Sequence, residues 1–259
     1  MIPADITPVI LTYNEEPNLA RCLERLRWAA QVVVLDSFST DATVEVARSF
    51  ANVRVEQRRF DEHTLQWNHG ISLVATPWVL SLDADYLMPE GFCEELRSLN
   101  PAGQTDAFYA RFRYCVFGTP LRATLYPPRA VLFRRGRCTY VKDGHTQLLH
   151  VPGNTQMLQS IIDHDDRKSL SRWFVSQDNY ARLEAVKLRN ATGPLRLQDR
   201  LRLTFVCAPI LTLVYCLFVK GLLLDGWRGW FYTWQRVLAE VMLALRLIEN
   251  RHASAQAAD

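Results

Sequence analysis

The stretch that decides the fold is residues 78–89, WVLSLDADYLMP, in which an apolar run ends in two carboxylates. Residues 78–82 predict a buried strand, because apolar side chains fill nearly every position over a strand's length. Asp83 and Asp85 follow, separated by Ala84. Residues i and i+2 of a strand point to the same side, so both carboxylates can face one point beyond its end. A hard divalent cation at that point would relieve their repulsion, whereas a polar turn with a helix-capping aspartate explains them without a ligand.

The chain before this stretch alternates between segments typical of strands and segments typical of helices. Short β-branched runs occupy residues 6–12, 31–35 and 53–56, and apolar side chains at helical spacing occupy residues 19–28, 43–50 and 68–75. The alternation predicts an α/β fold, with a Rossmann-like, mainly parallel sheet flanked by helices. Ligands of such sheets bind beyond the carboxyl ends of the strands. The polar segments at those ends, residues 12–16, 36–41 and 83–85, therefore predict one ligand site.

Composition and motifs argue against several classes of protein. Of the 259 residues, 49% are hydrophobic and 22% are charged, so the chain can bury a sizeable core. Its net charge of +3 is too small to indicate a nucleic-acid partner. No GxGxxG follows the first predicted strand and no P-loop motif occurs, which argues against a dinucleotide dehydrogenase and a P-loop NTPase. The six cysteines form no CxxC pair, as expected for buried thiols in a reducing cytosol.

Three motifs resemble, in their order and spacing, those of a known enzyme family. They are residues 12–16 (TYNEE), residues 36–43 (DSFSTDAT) and residues 82–85 (LDAD). Together they resemble the inverting family-2 glycosyltransferases of the GT-A fold, and most closely the lipopolysaccharide-core β-glucosyltransferases of the WaaE/KdtX type. Residues 66–68 (QWN), His164 and residues 221–229 extend the resemblance, which is looser in the second half of the chain.

The resemblance implies which residues hold a nucleotide-sugar donor and a divalent cation, Mg²⁺ or Mn²⁺. Thr12, Tyr13 and Glu15 would line the pocket for the base and ribose, and Asp36 would contact the uracil or ribose. Asp83 would lie near the ribose and the metal ion, which Asp85 would bind at the donor diphosphate. The implied donor-binding set is completed by Asn14, Asn68 and Ala84. Glu15, Asp36 and Asn68 also have explanations without a ligand, because these residue types stabilise helix N-termini and loops.

An inverting transferase also needs a general base that takes the proton from the acceptor hydroxyl. Relatives often have a His-Glu pair near the position of residues 139–147, whereas here His145 is followed by threonine and glutamine. The candidate catalytic bases are therefore Asp143, His145 and Asp166, the last of which lies in an HDD run that starts at residue 164. His145 is also a candidate metal ligand beside Asp83 and Asp85, because neutral imidazole binds divalent metal ions.

The last third of the chain is first basic and then strongly apolar. Nine Lys or Arg residues lie between residues 167 and 202, and residues 203–219 contain no charge. We predict helices that lie in the plane of a membrane leaflet, with Trp227, Trp230 and Trp234 at the interface. A buried core helix and a single spanning helix are the alternatives, and Pro209 together with the short apolar run argues against spanning.

The sequence thus predicts four regions and a function. Residues 1–105 form the nucleotide-sugar half of a GT-A domain, residues 106–165 its acceptor half, residues 166–252 membrane-associated helices and residues 253–259 a disordered tail. The predicted reaction moves a hexose from a nucleotide sugar, preferably a UDP-sugar, to a lipid-linked, lipopolysaccharide or exopolysaccharide acceptor at the cytoplasmic face of the bacterial inner membrane. The alternatives are a polyprenyl-phosphate glycosyl synthase and a non-catalytic nucleotide-sugar-binding membrane protein.

Overall fold

A computed structural model describes residues 3–100, 104–143, 146–191 and 193–256, and of residues 143, 146, 147 and 252–256 it describes the backbone alone. The chain divides into two compact units. Unit 1 comprises Met1–Pro120 and Thr124–Lys168, and unit 2 comprises Leu121–Ala123 and Ser169–Asp259.

Unit 1 is an α/β fold built on one large mixed sheet. After a 3₁₀ turn at Pro3–Asp5, its elements are β1 (Ile6–Thr12), α1 (Glu16–Glu24), β2 (Val32–Asp36), α2 (Thr43–Arg48), β3 (Val53–Gln57), α3 (His63–Ser72), β4 (Trp78–Asp83), β5 (Tyr86–Leu87), α4 (Phe92–Ser98), β6 (Thr105–Val116), β7 (Thr119–Pro120), β8 (Arg129–Arg134), β9 (Thr139–Asp143), β10 (Thr146–His150) and β11 (Asn154–His164). The strand order is β3-β2-β1-β4-β8-β6-β11-β5, β7 pairs with β6, and β9 and β10 form a separate hairpin.

The strands that carry the predicted nucleotide-sugar half are parallel, and the antiparallel pairs come later. β3, β2, β1 and β4 run parallel, as do β6 and β11, whereas β8 is antiparallel to both β4 and β6. The predicted α/β fold is therefore confirmed, and its sheet contains both parallel and antiparallel pairs. The predicted boundary after residue 105 falls inside this sheet, because β6 begins at Thr105 and pairs with β8 and β11.

Helices cover both faces of the sheet, which explains the continuous apolar strands. Ile10 packs in one cluster with Leu19 of α1, and its neighbour Val9 packs in another with Trp67 of α3. Adjacent residues of a strand point to opposite faces, so a strand between two helical layers is buried on both sides. α3 lies close to β1, since a Cβ at Gly70 would come within 2.9 Å of the Val9 side chain.

The structure corrects the predicted start of α3. This helix spans His63–Ser72, whereas the sequence predicts a helix over residues 68–75. The buried residues Thr64, Gln66 and Trp67 explain the earlier start, because packing on the sheet orders a segment that is polar in sequence. Asn68 consequently lies inside the helix and does not cap it.

Unit 2 consists of helices. They are α5 (Leu170–Arg189), α6 (Leu197–Arg202), α7 (Cys207–Val214), which continues through a π-helical turn at Tyr215–Val219 and a 3₁₀ turn at Leu222–Asp225, and α8 (Trp227–Gln256). α5 packs on α8 through Ala181, Ala185, Leu188, Leu243 and Leu247. No helix among the described residues combines the length and the apolar character needed to cross a membrane. α8 continues to Gln256, four residues into the predicted disordered tail, whose alanines favour a helix.

Candidate functional site

The polar ends of three parallel strands meet at one edge of the sheet. Thr12 pairs in register with Asp36, the last residue of β2. Leu11 pairs with Asp83, the last residue of β4. The structure therefore brings Thr12, Asp36 and Asp83 together, at the edge where α/β sheets bind ligands. Ala84, next to Asp83, is buried in the core.

Asp36 organises the loops at this edge. It is fully buried, and its carboxylate accepts hydrogen bonds from Thr12 Oγ1 at 3.0 Å, Ser39 N at 2.9 Å and Gln57 Nε2 at 3.2 Å. Ser39 Oγ donates a further hydrogen bond of 2.5 Å. These donors satisfy both carboxylate oxygens, so the observed role of Asp36 is to hold the ends of β1, β2 and β3 together. Its contact with a nucleotide stays a prediction.

Asn14 joins the loop after β1 to the loop after β2. Its backbone has φ 54°, in the left-handed region that asparagine tolerates better than most residues. Ser39 Oγ accepts a 2.7 Å hydrogen bond from Asn14 N, and Asn14 Oδ1 accepts one of 2.7 Å from Thr40 N. Tyr13 beside it is 54% exposed, so its ring is accessible to a ligand.

Glu15 precedes α1 but bonds to a distant lysine. It occupies the N-cap position, yet its side chain makes no capping hydrogen bond. Its carboxylate accepts hydrogen bonds from Lys168 Nζ at 2.7 Å and Asn18 Nδ2 at 3.0 Å. Burial raises the pKa of the Glu15 carboxyl, and the charge of Lys168 offsets part of that increase. Glu15 thus makes a specific ion pair, and its position at the start of α1 still allows a favourable interaction with the helix dipole.

The second carboxylate of the LDAD motif pairs with a histidine from the end of β11. Asp85 Oδ2 lies 3.2 Å from His164 Nε2, and both residues are largely buried. The His164 ring is held edge-on by Tyr86, Tyr114 and Tyr126, with centroid distances of 5.1 to 5.4 Å. Asp85 Oδ1 and His164 Nδ1 are buried without a hydrogen-bond partner among the described residues.

The charges around this pair shift the pKa of each group toward its ionised form. Burial by itself would raise the pKa of Asp85, but His164 and Lys168 outweigh it and lower that pKa to about 2. Burial would lower the pKa of His164, and the Asp85 carboxylate raises it above its ordinary value. Lys168 is partly buried, which would lower its pKa, yet Asp85, Glu15 and Asp166 raise that pKa. An opposite charge within a few ångströms favours the ionised form of each group.

Residues 165–168, which follow β11, contact α1 through ion pairs and hydrogen bonds. Asp165 is buried and forms ion pairs with Arg21 at 2.7 Å and with Arg167 at 2.8 Å. Asp166, a predicted catalytic base, accepts hydrogen bonds from Asn18 Nδ2 at 2.9 Å and from the backbone N of Lys168 at 3.0 Å. These contacts hold Lys168 and His164 at the sheet edge. The run at residues 164–168 (HDDRK), in which two acidic residues are followed by two basic ones, is the signal in the sequence that could have located them.

A cavity of about 230 Å³ adjoins Asp83. Its walls are mainly aromatic and aliphatic, with Arg129 as the one cation among the described lining residues. The lining comprises Trp67, Ser81, Leu82, Asp83, Tyr86, Tyr109, Pro127, Pro128, Arg129, Ala130, Val131, Tyr140, Leu148 and Leu149. Neither Asp85 nor His164 belongs to it, so the cavity and the charged cluster are neighbouring parts of one edge joined at Asp83.

The hairpin of β9 and β10 contributes Tyr140, Leu148 and Leu149 to that cavity. Asp143, a predicted base, is the last residue of β9. His145, the other predicted base and metal ligand, lies outside the described residues. Asn68 anchors the hairpin, because its amide bonds to both the N–H and the carbonyl of Tyr140, at 2.9 and 3.0 Å. The observed role of Asn68 is thus structural.

Asp85 and His164 fit a divalent cation in their chemistry. Asp85 Oδ1 and His164 Nδ1 are buried without a hydrogen-bond partner among the described residues, and carboxylate oxygen and the nitrogen of a neutral imidazole are ligands that Mn²⁺ accepts. Carboxylate oxygen also suits Mg²⁺. Binding of the cation would release the imidazole proton that the Asp85 carboxylate otherwise favours. Within the described ranges, no group of three or more His, Cys, Asp or Glu side chains is arranged to hold a metal ion. A cation at this edge would therefore take further ligands from a bound phosphate and from water.

Comparison with known proteins places the chain in a family. The LpsC protein of Rhizobium meliloti (strain 1021), a lipopolysaccharide core biosynthesis glycosyltransferase, is 29% identical over 104 residues, 38% of this chain and 38% of LpsC. The glycosyltransferase SunS of Bacillus subtilis (strain 168) is 31% identical over 85 residues, 32% of this chain and 20% of SunS. The chain thus spans less than two fifths of either relative.

Among solved structures, residues 1–349 of S. aureus TarS in complex with UDP-GlcNAc are 16% identical, with a TM-score of 0.47 over 96% of this chain and 92% of that one. The model of the family described as glycosyl transferase family 2 matches residues 7–164. That span is more than half of the chain and contains Thr12, Glu15, Asp36, Asp83, Asp85 and His164 of the charged edge, whereas Asp165, Asp166 and Lys168 follow it directly. The chain therefore belongs to glycosyl transferase family 2, and its mixed sheet flanked by helices resembles the GT-A fold.

Proposed function

We propose that this protein is an inverting, metal-dependent hexosyltransferase that uses a nucleotide sugar, preferably a UDP-sugar. We further propose that it transfers the hexose to a lipid-linked or lipopolysaccharide acceptor, as the WaaE/KdtX type does. The observation that carries the proposal is the pairing of Asp85 with His164 at the carboxyl edge of the sheet, beside Lys168. Two buried, unpaired ligand atoms and one partly buried ammonium group suit a metal-bound diphosphate.

Asp85 and His164 would hold the divalent cation, with Asp83 beside them. When bound, the cation would neutralise the negative charge that develops on the departing nucleoside diphosphate. Lys168 adds a fixed positive charge at the same edge, where Glu15 and Asp166 orient its ammonium group. Tyr13, which is exposed, and the loop that Asn14 and Asp36 order would form the wall for the nucleotide.

Asp143 is the residue we assign as the general base. An inverting reaction needs a carboxylate or imidazole that accepts the proton of the acceptor hydroxyl while its oxygen bonds to the anomeric carbon. The carboxylate of Asp166 is engaged with Asn18 and Lys168. Asp143 instead ends the strand whose Tyr140 lines the cavity beside Asp83, so its backbone stands within three residues of the acceptor pocket.

The donor proposal is tested by thermal shift with UDP-glucose, GDP-mannose and dTDP-glucose, each with Mn²⁺ and with EDTA. Only a ligand of the folded state raises the melting temperature. We expect UDP-glucose with Mn²⁺ to raise the melting temperature. The Mn²⁺-dependent part of this rise should be lost in Asp85→Asn and retained in Asp61→Asn, which is the exposed control. A shift that is equal with EDTA and in Asp85→Asn would overturn the metal role. No shift with any nucleotide sugar would overturn the donor assignment.

We also propose that unit 2 binds the cytoplasmic surface of the bacterial inner membrane. Large apolar side chains are exposed along its connection from α7 to α8, among them Phe218 at 67%, Val219 at 67% and Leu224 at 71%. Exposed apolar patches of this kind mark protein or membrane contacts. The aromatic rings of Trp227 and Trp234, each more than half exposed, suit the level of the lipid headgroups.

Cations beside this surface favour an anionic bilayer as its partner. The guanidinium of Arg228 lies 4.6 Å over the ring of Trp227, and that of Arg236 lies 5.5 Å over Tyr232. Their Nε atoms are buried without a hydrogen-bond partner, and neither arginine forms an ion pair within the described part of the chain. Arginines near an apolar surface add attraction to anionic headgroups.

Vesicle sedimentation tests this second part. We expect the protein to pellet with phosphatidylethanolamine vesicles that contain phosphatidylglycerol, and the double variant Phe218→Ser, Leu224→Ser to bind at least about 100-fold more weakly. Met157→Ser, at an exposed position of unit 1, is the matched control and should bind like the unaltered protein. Equal binding by the double variant would show that this surface does not contact the bilayer.

The polyprenyl-phosphate glycosyl synthase remains a second candidate because of Arg129. A cation in the cavity beside Asp83 suits a phosphate acceptor, and a phosphate oxygen attacks without a strong general base. A product whose sugar is bonded to phosphate, identified by mass spectrometry, would favour this candidate over transfer to a hydroxyl.

A further inference from the structure

Arg129 is a cation in the cavity beside Asp83, whose carboxylate interacts with it electrostatically but forms no ion pair with it. It begins β8 and pairs in register with Ala110 of β6. Its guanidinium lies 4.6 Å over the ring of Tyr126, and its side chain makes no hydrogen bond or ion pair with another described residue. It is only partly exposed, so the solvent around its charge is limited.

Other arginines of unit 1 show what is missing at Arg129. Several of them meet a carboxylate: Arg21 and Arg167 with Asp165, Arg113 with Asp163, and Arg137 with Asp106. A partly buried charge is costly unless an opposite charge or hydrogen bonds compensate it. The planar fork of a guanidinium matches phosphate and carboxylate groups, which it can bind through two hydrogen bonds.

We propose that Arg129 binds an anionic group, a phosphate or a carboxylate, on the acceptor, and that the acceptor is therefore an anionic saccharide or a lipid phosphate. The inference rests on the proposed transferase function and deepens it by naming the class of acceptor. Arg129 is a specificity-determining residue in this assignment, because it distinguishes an anionic acceptor from a neutral one.

The shape of the cavity assigns Arg129 to the acceptor and not to the donor. At about 230 Å³ the cavity is smaller than the roughly 300–1,000 Å³ of pockets that enclose a drug-sized ligand, so it suits one sugar-sized group. Tyr109, which is partly exposed in its wall, offers an aromatic ring against which an amphipathic ring can pack, and Trp67 and Tyr140 stack on each other behind the wall. The cation at the donor diphosphate is Lys168, which lies with Asp85 outside this lining.

Calorimetric titration tests the assignment on the full chain loaded with UDP and Mn²⁺, so that the diphosphate position is occupied. The probes are glucose 6-phosphate, glucuronate, geranyl phosphate and neutral glucose, which separate a sugar phosphate, a sugar carboxylate and a lipid phosphate. We expect at least one anionic probe to bind more tightly than glucose. Arg129→Gln should weaken that probe by about 10- to 100-fold, and Arg129→Lys by less, while UDP affinity stays unchanged.

Arg48→Gln is the matched control, because Arg48 is an exposed arginine at the end of α2, outside the cavity. It should bind every probe like the unaltered protein. Stronger binding of glucose than of each anionic probe would overturn the inference even if Arg129→Gln did not fold. Weaker UDP binding by Arg129→Gln, with anion binding intact, would assign Arg129 to the donor. Failure of the unaltered protein to bind UDP would instead count against the proposed function.

Discussion

The two units place their apolar side chains in opposite ways. In unit 1, β1, β2 and β4 are buried along almost their whole length, and helices cover both faces of the sheet. In unit 2, Ala208 is the buried residue of α7, while Ile210, Leu211 and Val214 of the same helix are each exposed by more than two fifths. Among the described residues, unit 2 exposes about twice as many large hydrophobic side chains as unit 1, although it is shorter.

This difference separates apolar residues that stabilise a fold from exposed apolar residues, which we propose bind a membrane. In unit 1, buried atoms of Asp85 and His164 without a hydrogen-bond partner lie at the carboxyl edge of the sheet, which suits a small polar ligand. Unit 2 is held by the contact of α5 with α8 and by Arg202, whose guanidinium pairs with Glu240 at 2.8 Å and with Glu184 at 3.5 Å. Its exposed apolar residues are not needed for that contact, which leaves them available to a surface such as a bilayer.

The largest effect is expected where unit 1 meets its ligand. Asp85→Ala should lower the rate of sugar transfer by roughly 10²- to 10³-fold, because it removes the carboxylate that pairs with His164 at the proposed metal position. Initial rates with UDP-glucose and Mn²⁺ measure the change, and Asp61→Asn serves as control. An unchanged transfer rate in Asp85→Ala would contradict the assignment of this edge as the ligand site.

A pair of leucines compares burial in the two units directly. Leu80→Ala should lower the free energy of unfolding by about 2–5 kcal/mol, because Leu80 is fully buried in β4 and the change leaves a cavity. Leu224→Ala should change it by no more than about 0.5 kcal/mol, because Leu224 is 71% exposed. Denaturation in urea gives both values. Similar losses for the two variants would mean that the exposed surface of unit 2 is part of its core.

Arg202 tests whether charges hold unit 2 together. Arg202→Gln should cost about 1–3 kcal/mol, because it leaves the mostly buried carboxylates of Glu184 and Glu240 without their cation. Arg246→Gln, which removes a more exposed pair with Asp178, should cost less than about 1 kcal/mol. Thermal melting of both variants under one condition provides the ranking, and the reverse order would contradict this account.

The smallest effect concerns an exposed pair of unit 1. Hydrogen bonds from Arg58 and from the backbone N of Glu62 lower the pKa of Asp61 to about 2, from an ordinary value of 3.8. A depressed pKa favours the folded state above pH 3.8, and that contribution disappears as the pH falls toward 2. NMR titration of the Asp61 carboxyl should show this value, and Arg58→Gln should raise it. An ordinary pKa in the unaltered protein would refute the pairing.

Several parts of the fold and site could be predicted because their causes are local. The β-branched runs of β1 and β2 and the apolar run of β4 are visible in sequence, and so are the carboxylates that end β2 and β4. The start of α3 could not be predicted, because burial of Thr64 and Trp67 against the sheet outweighs the polar sequence around them. Asn68 looked like a cap or ligand residue, and its bonds to Tyr140 appear only once β9 lies against α3.

The sequence by itself determined the α/β alternation, the positions of the strand ends and the LDAD motif, since periodicity and turn chemistry act over a few residues. Only the tertiary structure decided which groups meet there. His164 reaches Asp85 across 79 positions, and Asp166 reaches Asn18 across 148, because β11 pairs with β6 and β5 and ends at the same edge. Arg129 likewise enters the cavity beside Asp83 because β8 runs antiparallel to β4, so that its first residue lies near the last residue of β4.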